Sequence, residues 1–218
     1  MTLKHKLSGK FIVFDGPDGS GKGTQIERLA RALTAEGVPI VCTRDPGGTA
    51  IGDQIREILL HKNLLAEMDV RCETLLFMAS RAQLVGEVIA PAIREGKTVI
   101  CDRFISATCA YQGAAGYDVA KIIELGRFAV GDLWPQLTLV LDVPADEGLK
   151  RAGRRQEQAV GARHDAMEAR PIDFHRRVRD IFLQLPGVYP GRVEVVNGGG
   201  SPDDVHGRVM EVLKRVAF

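Results

Sequence analysis

Gly16, Gly21 and Lys22 stand at the spacing G-x-x-x-x-G-K, inside Gly16-Pro17-Asp18-Gly19-Ser20-Gly21-Lys22-Gly23-Thr24. This is a pattern that cradles phosphate groups. Its glycines let the backbone wrap closely, so that N–H groups can converge on phosphate oxygens. Lys22 adds a mobile cation for the outer phosphates. An apolar run precedes the turn. After it, Ile26, Leu29, Ala30 and Leu33 recur at helical spacing. The turn therefore opens a helix whose positive dipole end faces the same anion. The hydroxyl expected directly after the lysine is replaced by Gly23, and Thr24 supplies one a place later. The bland alternative is a tight turn with a surface lysine. Four glycines and a lysine in so short a stretch weigh against it.

Other residues could work beside such a loop. Asp102 and Arg103 end an apolar run. An aspartate there can organise Mg²⁺ through water, and the arginine can grip phosphate with two N–H groups. A purely structural Asp–Arg pair is the weaker reading. Arg44-Asp45-Pro46-Gly47-Gly48-Thr49 is a turn whose N–H groups and Arg44 could hold a second anion, although turns of this composition are common as plain connections. Phe77 and Arg81 are four apart and share a helix face. On spacing alone Phe77 reads as core and Arg81 as a solvated charge; the sharper reading is a ring stacked on a base with a cation at its edge. Tyr111-Gln112-Gly113 reads adequately as a helix end capped by Gly113. Arg151, Arg154, Arg155 and Arg163 lie in a basic, glycine-containing run that reads as a lid over transferring phosphates, or as a solvated loop.

Elements that would position these residues follow from the hydrophobic pattern. Phe11–Asp15, Pro39–Thr43, Thr98–Asp102, Leu137–Val143 and Arg192–Val196 are short Val-, Ile- and Leu-rich runs without polar alternation. They read as strands of a parallel sheet buried on both faces. Helical patterns separate them, including a long stretch from Asp69 to Glu95 bent near Pro91, an amphipathic helix over Phe174–Leu185 stopping before Pro186, and another over Asp203–Val216 capped by Ser201. The alternation predicts a doubly wound α/β fold with its ligands beyond the carboxyl ends of the strands. The phosphate loop, the Arg44–Thr49 turn and Asp102-Arg103 follow the first three strands, a helix after the fourth leads into the arginines, and Asn197-Gly198-Gly199-Gly200-Ser201 follows the fifth.

With 218 residues, a single domain is expected. A formal charge of +1 gives no global attraction for nucleic acid or membrane, and no apolar run approaches membrane-spanning length. Cys42, Cys72, Cys101 and Cys109 have no zinc-site spacing. A reducing cytoplasm is the expected compartment.

Taken together the motifs resemble those of the thymidylate kinase family, of the bacterial type that carries its transition-state arginine in the lid. The carrying segments are Phe14–Lys22, Thr43–Thr49, Leu76–Gln83, Cys101–Phe104 and Ala110–Gly113, with Leu137–Val143 and Phe174–Arg179 extending the match. The resemblance implies a P-loop kinase: a five-stranded parallel sheet in order 2-3-1-4-5, helices on both faces and a short lid over about 150–168. It implies transfer of the γ-phosphoryl of ATP to dTMP with Mg²⁺, by a homodimer. An adenylate-type kinase, suggested by Gly-Lys-Gly-Thr, is the alternative. By resemblance Gly16, Pro17, Asp18, Gly19, Ser20, Gly21, Lys22, Gly23 and Thr24 hold ATP. Asp18, Arg56, Phe77, Arg81, Arg103, Tyr111 and Gln112 bind dTMP. Asp18 meets the sugar 3′-hydroxyl, Phe77 stacks on thymine, Arg81 bonds its carbonyl edge, and Tyr111 lies near the sugar 2′ position. Lys22, Asp102, Arg103, Arg154 and Arg155 serve catalysis, with Asp102 organising the metal. The chain departs from the family pattern at Gly23, at Asp45 where Glu is frequent, at Ser80 where an acid is usual, at Ala107 where Ser is usual, and at Ala166 in the lid.

Overall fold

The computed structural model describes residues 3–61, 68–158 and 170–218, leaving aside the side chains of 3–4 and 155–158. In chain order the elements are α1 (Leu3–Leu7), β1 (Phe11–Asp15), α2 (Lys22–Ala35), β2 (Ile40–Arg44), α3 (Ala50–Leu60), α4 (Val70–Leu84), α5 (Ala90–Arg94), β3 (Thr98–Asp102), α6 (Ile105–Ala114), α7 (Val119–Val130), β4 (Leu137–Asp142), α8 (Ala145–Gln158), α9 (Ile172–Val188), β5 (Val193–Asn197) and α10 (Pro202–Arg215). The five strands form one parallel sheet in the order β2-β3-β1-β4-β5, as expected.

Side chains alternate across each strand and so divide the core in two. Phe11 and Val13 of β1, with Val99 and Cys101 of β3, pack against Met78, Ile105, Cys109, Val178 and Phe182. Ile12 and Phe14, with Ile100, Leu139 and Leu141, pack on the other face against Leu29, Leu33, Val205, Val209 and Leu213. Helices on both faces explain the continuous apolar runs of the strands.

Four local expectations are corrected. β2 and β5 begin and end one residue later than their apolar runs, because pairing extends to Arg44 opposite Asp102 and to Asn197 opposite Asp142. The irregularity in the long helix is a π-helical turn over Val85–Ile89, just before Pro91, whose missing N–H already breaks the regular ladder there. Gly113 lies inside α6, tight against Ile181 and Val119, and does not cap it. Pro186 lies within α9, which runs on to Val188. The α10 terminus follows expectation: Ser201 and Asp204 form a reciprocal capping box with Pro202 in the first turn.

Val70–Arg94 is 25 residues long and apolar enough to cross a bilayer, contrary to the expectation from apolar runs. Here it is a helix of the fold: Glu73, Thr74, Ser80 and Arg81 are buried along it.

Candidate active site

The loop after β1 wraps as its glycines allow. Gly16 and Gly19 have φ of 131° and 71°. A Cβ at Gly16 would lie 2.4 Å from the Leu141 carbonyl oxygen, so the loop is pressed against β4. Gly21, in the left-handed region, is the N-cap of α2 and offers no side chain, and the first turn contains no acid. The helix terminus therefore keeps its N–H groups for an external anion. Lys22 is folded over this loop. Its Nζ donates to the carbonyls of Gly16 and Pro17, both at 2.9 Å, and lies 3.4 Å from Ser20 Oγ. Burial, joined by the nearby Arg103 guanidinium, lowers the Lys22 pKa to about 8.

Arg103 is the junction of the site. It is the only non-glycine residue with positive φ among those described, at 66°, a conformation that costs a non-glycine side chain energy and that clusters at functional positions. Its guanidinium binds Asp18, lies 3.3 Å from the Tyr111 hydroxyl and sits 4.9 Å from the centre of the Tyr111 ring. Tyr111 donates to the other Asp18 oxygen at 2.7 Å. Burial opposes the Asp18 carboxylate, but Arg103, Lys22 and the Tyr111 hydroxyl outweigh it and hold its pKa below the usual value. Asp15 lies behind, fully buried, accepting from Ser106 Oγ at 2.5 Å and from the Gly16 N–H at 3.0 Å. Burial raises its pKa, with Arg103 opposing.

On the neighbouring side a cleft is lined by Asp18, Asp45, Pro46, Arg56, Leu60, Phe77, Arg81, Arg103, Ala107, Thr108, Tyr111 and Gln112. All seven residues expected at the acceptor substrate are among them. Arg81 is 1% exposed and is no solvated charge. Its Nε donates to Asp45 at 2.6 Å, and a second nitrogen donates to Thr108 Oγ1 at 2.9 Å. Burial raises the Asp45 pKa against the pull of Arg81. Phe77 is partly exposed to the cleft on the same face of α4, as the spacing allows.

Thr108, Asp15 and Glu73 have no role in the sequence reading, and Asp45 enters it only within the turn and as a departure where Glu is frequent. Asp15 had a signal, an acid ending an otherwise apolar strand. Glu73 had one too, standing four residues before Phe77 on the same helix face.

Two expectations fail in their detail. The N–H groups of the turn after β2 are not open to an anion: Gly47 donates to Ser80 Oγ at 3.1 Å and Gly48 to Asp53 at 3.2 Å, while Arg44 pairs with Asp53. Ser80, where the family usually has an acid, thus anchors that turn. Arg56 reaches back to the Pro46 carbonyl at 2.9 Å and presents the cation on this side of the cleft. Second, the stretch from Lys150 to Gln158 is helical, continuing α8. Arg151 is tied to Glu147 and to the Gly198 carbonyl, and Arg154 is exposed and does not line the cleft. The Arg155 side chain, Arg163 and Ala166 lie outside the described residues, as does the rest of the expected lid beyond Gln158.

The donor set suits a hard cation. Asp102 ends β3 with its Oδ1 buried and unpartnered, an oxygen that needs a metal, water or a proton.

A family model described as thymidylate kinase matches residues 14–209. The chain is 45% identical over 200 residues to the thymidylate kinase of Syntrophotalea carbinolica, covering 91% of this chain and 92% of the relative. It is 40% identical over 207 residues to that of Clostridium novyi, covering 94% and 98%. The crystal structure of thymidylate kinase from Ehrlichia chaffeensis superposes with a TM-score of 0.72 at 34% identity, over 95% of this chain and 99% of that one.

Proposed function

This chain belongs to the thymidylate kinase family, and from that membership we propose how its residues transfer the γ-phosphoryl group of ATP to dTMP, giving ADP and dTDP. The family relationship carries the reaction itself and disfavours the adenylate-type alternative. One observation carries the residue roles. The phosphate loop and the cleft holding Phe77, Arg81 and Tyr111 meet at Asp18 and Arg103.

The loop N–H groups, the α2 terminus and Lys22 hold the ATP phosphates. Lys22 exchanges its carbonyl partners for phosphate oxygens. Phe77 stacks on thymine, with Arg81 at the carbonyl edge. Arg56 and Arg103 draw the acceptor phosphate toward the loop, and Asp18 takes the sugar 3′-hydroxyl. Tyr111 closes the 2′ side. Positioning two phosphates in line and neutralising the charge between them accounts for most of the catalysis. Arg154 and Arg155 would join from α8. Mg²⁺ would be held by Asp102 through water, with Thr24 at the loop mouth, and would supply charge neutralisation between the phosphates.

A coupled assay with dTMP, dUMP, AMP and CMP tests the substrate assignment, and preferential turnover of AMP overturns it. Phe77→Ala should raise the KM for dTMP about tenfold, the loss of one base-stacking contact, with the KM for ATP unchanged. Equal effects on both would make Phe77 a core residue only.

The chain acts as a homodimer in the cytoplasm. The dimer reading is supported by Phe128, 92% exposed on α7, together with exposed Leu75 on α4 and Ile51 and Ile58 on α3. These helices pack side by side, and Ile51 and Ile58, seven apart, share one face. Sedimentation should give a dimer for the wild type and a monomer for Phe128→Glu. A monomeric wild type at micromolar concentration overturns the reading.

A further inference from the structure

Glu73 lies on α4, one turn before Phe77, and is 2% exposed. One carboxylate oxygen accepts from Gln112 Nε2 at 3.1 Å, and the other lies 3.6 Å from the Arg170 guanidinium. Arg170 itself stacks at 4.6 Å over the Phe174 ring, which ties the cation in place. Gln112 is 1% exposed and lines the cleft. Its Oε1 is buried and has no partner.

These facts decide which way the amide points. A carboxylate beside a guanidinium accepts hydrogen bonds only. The Gln112 NH₂ group must therefore face Glu73, which leaves Oε1 as the unpartnered atom of a residue that lines the cleft. Buried oxygens are not left unpartnered without cause, because a desolvated acceptor without a donor costs free energy. The site thus holds a fixed acceptor that awaits an N–H from its ligand. Thymine has one such group, the imide N3–H between its two carbonyls. Cytosine presents a bare ring nitrogen there, an acceptor facing an acceptor.

We propose that Glu73 is a positioning residue that sets pyrimidine specificity: it locks the Gln112 amide with its oxygen toward the cleft, so that the site takes a base bearing an imide N–H and rejects one bearing a ring-nitrogen acceptor. The inference rests on the reading of this cleft as the dTMP site. Glu73 touches no substrate atom and acts only through Gln112.

Glu73→Gln keeps the side-chain volume and tests the idea. An amide at 73 can donate or accept, so Gln112 is free to turn. Arg170 is 27% exposed and can turn to water. The ratio of kcat/KM for dTMP over dCMP should fall about tenfold, the weight of one hydrogen bond, through KM and with kcat for dTMP retained. Gln112→Leu should lower kcat/KM for dTMP by a similar factor, and the double variant should lose no more than Gln112→Leu alone. A folded Glu73→Gln enzyme with an unchanged ratio overturns the proposal, as does an equal loss toward both nucleotides, which is what a merely structural role would produce. A wild-type enzyme with no preference for dTMP over dCMP overturns the reading of the cleft and the proposal with it.

Discussion

Lys22→Ala is expected to lower kcat by about 10²–10³-fold, the range for losing one preorganised charge at a phosphoryl group, without lowering the thermal midpoint. The side chain is 8% exposed and its charge rests on two loop carbonyls at 2.9 Å. Burial first, then the neighbouring Arg103, hold its pKa near 8 against 10.5 for a free lysine. The folded value lies below the unfolded one, so the unfolded chain binds this proton more tightly. Below pH 8 the protonated lysine burdens the fold, and the burden disappears as pH rises from 8 to 10.5. Removing the group should therefore stabilise the protein at pH 7 and remove that gain toward alkaline pH. Denaturant midpoints at pH 7 and pH 10, measured for both proteins beside their turnover, check each half. Near-normal turnover refutes the phosphate role, and an unchanged pH slope refutes the buried charge.

Arg81→Met is expected to cost about 3–5 kcal/mol of stability at pH 8, the usual consequence of leaving one partner of a buried ion pair alone. Arg81 and Asp45 are 1% and 0% exposed in their side chains and 2.6 Å apart. Burial already raises the Asp45 pKa, with Arg81 holding it back. Without Arg81 that pKa rises further, so the folded state takes up a proton that the unfolded state has released. The destabilisation is then largest above the new folded pKa and shrinks as pH falls toward the unfolded carboxylate range. Adding Asp45→Leu should restore most of the stability at pH 8, because two apolar residues replace the pair, while dTMP turnover stays low. Unfolding curves at pH 8 and pH 5 test this. A single variant within 1 kcal/mol of wild type at pH 8, taking that threshold from the spread of ordinary surface substitutions, would show that the pair carries little.

What could be read from sequence was what is local in sequence. Lys22 and its glycines lie within one turn, and the β-strands announce themselves as apolar runs. The order of strands and the convergence of Arg56, Phe77, Arg103 and Tyr111 came through resemblance, since no spacing relates residues from three separate helices and a strand end. Glu73 escaped because its partners stand 39 residues away at Gln112 and on the far side of α8 at Arg170. Arg81 reads as a surface charge until Asp45 and Thr108, distant in the chain, enclose it. The π-helical turn before Pro91 could be located but not typed. A proline marks where the hydrogen-bond ladder fails, and packing decides how the backbone absorbs it. Strand ends slipped by one residue because the neighbouring strand, not the apolar run, sets where pairing stops.

The bond between Arg103 and Asp18, braced by Tyr111, makes the resting site its own counter-ion. An anion that arrives alone must displace the Asp18 carboxylate from Arg103 and leave it with the Tyr111 hydroxyl as its donor. A neutral nucleoside offers Asp18 a hydroxyl but gives Arg103 nothing for the charge it would lose. Only a ligand carrying both a phosphate and a sugar hydroxyl, at the separation of the two side chains, replaces both halves of the pair at once. With the proposed roles of Asp18 and Arg103, the contact would therefore behave as a logical AND, disfavouring inorganic phosphate and unphosphorylated nucleoside by the same few atoms, before any base is inspected.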